Sequence, residues 1–215
     1  PLHDHGKALD VLQAADLALY RAKSAGKARF AHYSEALQDT AQHHLELESA
    51  LGQALQHNEF ELHYQPIYRL EQGAPLMSGV EALVRWRHGE RLISPLEFIP
   101  ALEESGEIIR VGEWVLRQAC QQTRLWQLAG HGHLRCSVNI SSLQLQQADF
   151  ILRVIDILRE SGLPPASLIL EITESQLMHD DLDTLACLNE LASLGVLLAL
   201  DDFGTGYSSL GYLTR

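Results

Sequence analysis

The chain has 215 residues, 46% hydrophobic and 7% aromatic, an ordinary globular mix with room for one large domain or a medium domain plus an appendage. Its net charge of −12 argues against a protein that holds a nucleic acid polymer through a basic surface. The imbalance is concentrated late: residues 59–215 carry eleven Lys or Arg against twenty-one Asp or Glu, and no lysine follows Lys27. An anionic ligand there needs bound cations or well-placed arginines to hold it.

Cys120, Cys136 and Cys187 are odd in number and lack CxxC spacing, so they read as reduced core thiols of a cytoplasmic chain. No apolar run approaches the roughly 18 residues that span a bilayer, and no signal peptide is visible. The first residue is Pro1, so any upstream membrane anchor or sensor would be invisible in this sequence.

In chain order, residues 8–27 show apolar residues at helical spacing, with Gly26 as a stop. Residues 34–59 form a second, Pro-free amphipathic stretch with Leu45, Ala50, Leu51 and Leu55 on one stripe. It is expected to connect two units or to contribute to a dimer seam. The period then changes. FELHYQPIYRL alternates like a strand, and LMSGVEALVRW follows it as a neighbouring strand.

Helices are expected at PLEFIPALEES and over 107–130, then a strand at LRCSVNI, a helix at 147–162 and a strand at SLILEIT. A helix over 180–195 leads into the strand VLLAL. Strands alternating with crossover-length helices predict an α/β fold with a parallel sheet, as a barrel or a doubly wound sheet.

The four later strands each end in a polar residue that the apolar context does not explain: Glu81, Asn139, Glu171, and Asp201 with Asp202. In a (β/α) barrel such strand ends converge on one face. Four or five oxygen ligands gathered there suit a hard divalent cation, and two ions could activate a water and clamp a phosphodiester. A lone carboxylate at a strand end is more often a helix cap or turn former, and Asn139 could cap the helix that follows it. Glu171, between Leu170 and Ile172, is hard to dismiss in this way. Arg85 shares a strand face with Glu81 and could reach a phosphate or pair with Glu81. Gln65 has a similar inward-facing option. FGTGYSS fits neither phosphate-loop spacing and reads as a loop beside the carboxylates.

Together these residues resemble an EAL domain, the bacterial cyclic di-GMP phosphodiesterase family. The motif stands as Glu81-Ala82-Leu83, with YQPI at 64–67, PLEFIP at 95–100, NIS at 139–141, EITE at 171–174 and DDFGTGYSSL at 201–210. Residues 8–30 are similar to the end of a GGDEF (diguanylate cyclase) domain. The resemblance implies three segments: 1–33 as a GGDEF remnant, 34–58 as a linker helix, and 59–215 as the first part of an EAL domain. The implied fold is a TIM-like barrel with an antiparallel first strand, cut after about five strands.

The resemblance also assigns Glu81, Asn139, Glu171, Asp201 and Asp202 to Mg²⁺ or Mn²⁺, two ions in all. Glu174 would set the loop 203–209, and Gln65, Leu83 and Arg85 would contact cyclic di-GMP. A metal-activated water would open that substrate to linear pGpG. A homodimer through the EAL domain or the linker helix is expected, and no membrane segment in this chain. The alternative is a catalytically inactive cyclic di-GMP receptor. The family continues with a lysine, a Glu and a Gln that have no counterpart here, so the isolated polypeptide is expected to be a fragment, inactive or poorly folded.

Overall fold

The computed structural model describes residues 47–70, 75–173 and 182–201. Two compact units divide the chain, Pro1–Gln53 and Ala54–Arg215. The described part of the first, residues 47–53, is helical. The segment resembling GGDEF, most of the 34–58 linker, Glu174, Asp202 and the loop 203–209 lie outside the described residues. The linker helix was expected to run to residue 59, and here the described residues differ. Helical geometry stops at Ala54 and a turn fills 55–58. Asn58 sits in the left-handed region (φ 55°), a conformation that Asn tolerates better than most residues and that ends a helix.

Among the described residues, twelve elements build the second unit. Strand β1 (Phe60–Arg69) pairs antiparallel with β2 (Leu76–His88), and β3 (Arg91–Ile93) folds back on the far end of β2. Helices α1 (Pro95–Ser105) and α2 (Ile108–Leu128) lead to β4 (Arg135–Asn139). The short α3 (Ser142–Leu145) and the longer α4 (Phe150–Ser161) follow, then a 3-10 turn at Pro165–Ser167 and β5 (Leu168–Thr173). Helix α5 (Leu182–Ser193) leads to β6 (Leu197–Asp201). The sheet order is β1-β2-β4-β5-β6, with every step after β2 parallel. Among the described residues the sheet is open, with β1 and β6 at its edges.

Alternation along each strand sorts the side chains onto two faces. One face carries Val80, Ala82, Cys136, Val138, Leu168, Leu170 and Ile172, all buried. Helix α2 covers it with Val111, Val115, Leu116, Ala119 and Cys120, the buried stripe of an amphipathic helix. The three cysteines are buried and unpaired in this core. Burial pushes the Cys120 thiol up to about 12 and the Cys136 thiol to about 11, which keeps both protonated and unreactive at neutral pH. Between β2 and β4 the backbones approach closely at Gly79. A Cβ there would lie 2.8 Å from the Arg135 carbonyl oxygen, so only glycine fits the start of the parallel ladder.

At the other end of β2, Trp86 is fully buried against Phe60 and Phe98, with ring centroids 6.3 and 5.9 Å away. Its indole Nε1 donates to Glu59 Oε2 at 2.9 Å. Trp86→Ala is therefore expected to cost about 3–5 kcal/mol through the cavity it leaves, read as a lower urea midpoint with an unchanged slope.

Candidate functional site

The second sheet face is where the expected polar residues gather. The antiparallel register sets Gln65 opposite Glu81, so both side chains leave the sheet on the same side, as do Leu83 and Arg85 farther along β2. In the parallel ladders Glu81 lies beside Ser137, Asn139 beside Glu171, Glu171 beside Ala199, and Thr173 beside Asp201. Glu81, Asn139, Glu171 and Asp201 thus share this face on four consecutive strands.

Glu81 is not at the end of its strand but inside the long β2. The parallel pairing with β4 extends only to Ala82 opposite Val138, whereas β1 and β3 carry β2 on to His88 as an antiparallel ribbon. Glu81 therefore marks the end of the parallel ladder, not the end of the strand.

Asn139 is exposed, and its Nδ2 donates to Glu81 Oε1 at 2.8 Å. Only the NH₂ end of an amide can donate to a carboxylate, so Oδ1 is the end not committed to Glu81. The capping alternative for Asn139 does not hold. Ser141 is the N-cap of α3, in a capping box with Gln144. This S-x-x-Q spacing was readable in the sequence and is the signal that would have assigned the cap correctly.

Glu171 is half-buried. Burial first, then the charges of Glu81 and Asp201, push its carboxyl above the usual range, against a hydrogen bond from the buried Ser137 that pulls it down. Ser137 had not been picked out in the sequence, because a serine in an apolar strand carries no distinguishing signal.

Arg85 does not pair with Glu81; its guanidinium Nη1 donates to the Val84 carbonyl at 2.8 Å. A cleft of about 310 Å³ opens between β2 and helices α1 and α2, lined mostly by apolar residues such as Val84, Ile99 and Val111; Arg85, Asn139 and Glu171 reach it, whereas Glu81, Gln65 and Asp201 do not line it. Gln65 is exposed on the neighbouring strand. Among the described residues, no group of three or more His, Cys, Asp or Glu side chains is gathered tightly enough to hold a metal ion. None of their helices is long and apolar enough to cross a membrane.

The EAL domain family model matches residues 48–215. The chain is 44% identical over 202 residues to the bifunctional diguanylate cyclase/cyclic di-GMP phosphodiesterase MucR of Pseudomonas aeruginosa, covering 94% of this chain and 29% of that protein. It is 36% identical over 216 residues to the cyclic di-GMP phosphodiesterase PdeR of Escherichia coli, covering 99% of this chain and 32% of that protein. A solved structure of the MucR phosphodiesterase in complex with c-di-GMP matches with a TM-score of 0.74 at 46% identity, covering 79% of this chain and 68% of that one. The chain thus spans about a third or less of the length of these two curated relatives. The family match takes in every strand of the sheet and the whole polar face upon it: the chain belongs to the EAL domain family.

Proposed function

We propose that the protein containing this chain is a cyclic di-GMP phosphodiesterase that opens its substrate to linear pGpG. The single observation that carries the reading is the shared face of Glu81, Asn139, Glu171 and Asp201 on four consecutive strands. The names of its relatives MucR and PdeR and the c-di-GMP complex of the MucR domain support the substrate class.

By residue type, though not by the spacing of the described side chains, the donor set suits a hard divalent cation. It is made of oxygen ligands, and its acidic members repel one another at Glu171, a cost that a cation would relieve. Glu81, Asn139, Glu171, Asp201 and Asp202 would hold Mg²⁺ or Mn²⁺, which when bound lowers the pKa of water and neutralises phosphate charge. In this reading Asn139 fixes one oxygen of Glu81 through Nδ2 and offers Oδ1 as a neutral ligand. Arg85, Leu83 and Gln65 face the dinucleotide, and Glu174 sets the loop 203–209.

The same proposal treats residues 1–33 as a GGDEF remnant, 34–58 as a linker and 59–215 as EAL sequence. It is supported by MucR being named bifunctional and by a unit boundary inside the 34–58 segment. The 215-residue polypeptide alone is proposed to turn over poorly, since it has no lysine after Lys27 for the role the resemblance gives to one.

The test is incubation of the full-length protein with cyclic di-GMP and Mg²⁺, followed by chromatography. Linear pGpG is expected, with loss of turnover in EDTA and recovery on adding Mg²⁺ or Mn²⁺. Retained binding of cyclic di-GMP without cleavage would instead support the receptor reading.

A further inference from the structure

The side chain of Gln144 is polar yet almost wholly buried, at 3% exposure, in the four-residue helix that follows Asn139. Its Oε1 accepts from the Ser141 backbone N–H at 3.1 Å and from the Ser141 hydroxyl at 3.3 Å. In return its own backbone N–H donates to Ser141 Oγ at 3.3 Å. One residue earlier, the Ile140 N–H donates to the Glu171 carbonyl at 2.9 Å. The backbone leaving Asn139 is thus held at two successive residues, by β5 and then by Gln144.

In this seat the Gln144 amide lies directly over Gly112 of α2. A Cβ on Gly112 would stand 2.2 Å from Gln144 Nε2, 2.4 Å from Cδ and 2.6 Å from Oε1, far inside contact distance. Glycine inside a helix costs about 1 kcal/mol relative to alanine, so its use here calls for a packing reason, and the Gln144 amide supplies one.

We infer that Gln144, seated on Gly112, is a positioning residue that fixes Asn139 in the cation-holding arrangement with Glu81 and Glu171. The inference rests on the assignment of Asn139 to that arrangement. An ordinary helix cap would stabilise the fold and leave cation affinity alone. A positioning residue sets the direction of a ligand, and partners of this kind shift metal affinity about 10–100-fold.

The test uses the full-length protein and compares Gln144→Ala, Gln144→Met, Gly112→Ala and the double variant Gly112→Ala/Gln144→Ala. Gln144→Met keeps the side-chain bulk and removes the back-bond, so it guards against simple loss of folding. Mg²⁺ affinity is measured by calorimetry without substrate, beside thermal midpoints and, at saturating Mg²⁺, the KM for cyclic di-GMP. All three single variants are expected to bind Mg²⁺ about 10-fold more weakly or worse, with KM within about two-fold. Gln144→Met is expected to keep most of the thermal midpoint that Gln144→Ala loses.

The double variant should match Gln144→Ala alone, because a Cβ at position 112 meets vacated space once the amide is gone. Unchanged Mg²⁺ affinity in Gln144→Met, or additive effects of Gly112→Ala and Gln144→Ala, would overturn the inference. A wild-type protein that binds Mg²⁺ but does not cleave cyclic di-GMP would fail the phosphodiesterase reading, while the calorimetry still decides the role of Gln144.

Discussion

Replacing Glu81 by alanine is expected to reduce formation of pGpG by at least ~10²-fold, because a proposed cation ligand is lost outright and outer partners alone cost about 10–100-fold. The local structure explains why the loss should be chemical rather than structural. Glu81 lies on the open face of β2, while the helix-covered face beside it, Val80 and Ala82, is untouched by the change. The Asn139 amide loses its acceptor, but it is exposed and can turn to water, so the stability cost should stay below about 1 kcal/mol. Circular dichroism and the urea midpoint should therefore stay close to wild type while kcat/KM collapses. A rate within about two-fold of wild type would remove Glu81 from the site.

Glu171→Gln should separate function from stability in the opposite direction. The folded protein holds the Glu171 carboxyl above the ordinary value of 4.5, through burial and through the charges of Glu81 and Asp201. Well below pH 4.5 the group is protonated in the folded and unfolded chain alike, and no penalty arises. As pH rises through the window above 4.5, the unfolded chain ionises first, so the metal-free fold loses stability relative to a neutral side chain. The penalty is complete once the folded group is ionised as well.

The glutamine variant in EDTA should therefore melt above wild type at neutral pH, with the difference shrinking towards about pH 4. Added Mg²⁺ should raise the wild-type midpoint more than that of the variant, since bound ligand stabilises only a site that can hold it. The variant should also lose most turnover. A midpoint difference that is flat with pH would show that the Glu171 charge is relieved in the metal-free protein.

Much of the fold was legible because its elements are locally encoded. Ser94 and Pro95 open α1 and Gly106 closes it in the left-handed conformation, where the sequence pattern placed both ends. The apolar strands and the α2 stripe follow the same short-range periods. What escaped depends on partners distant in sequence. The three-residue β3 exists only because β2 offers it an edge, and Glu81 lies within its strand because β1 and β3 prolong β2 beyond its parallel partner.

The end of the linker helix turned on a single left-handed Asn58. At the site, residue types announced the oxygen-rich face, but the Asn139–Glu81 hydrogen bond and the Ser137 contact to Glu171 needed the register between strands. The seat of Gln144 on Gly112 joins two helices whose proximity no local pattern encodes.

The central claim is that this polar face serves hydrolysis of a phosphodiester by water. It is tested most directly by a single turnover of cyclic di-GMP by the full-length protein in ¹⁸O-labelled water with Mg²⁺. Because pGpG carries a terminal 5′-phosphate, attack of water on phosphorus should place one solvent oxygen in that phosphate and none elsewhere. Cyclic di-GMP recovered intact from a stable complex, or a product without the label, would contradict the account.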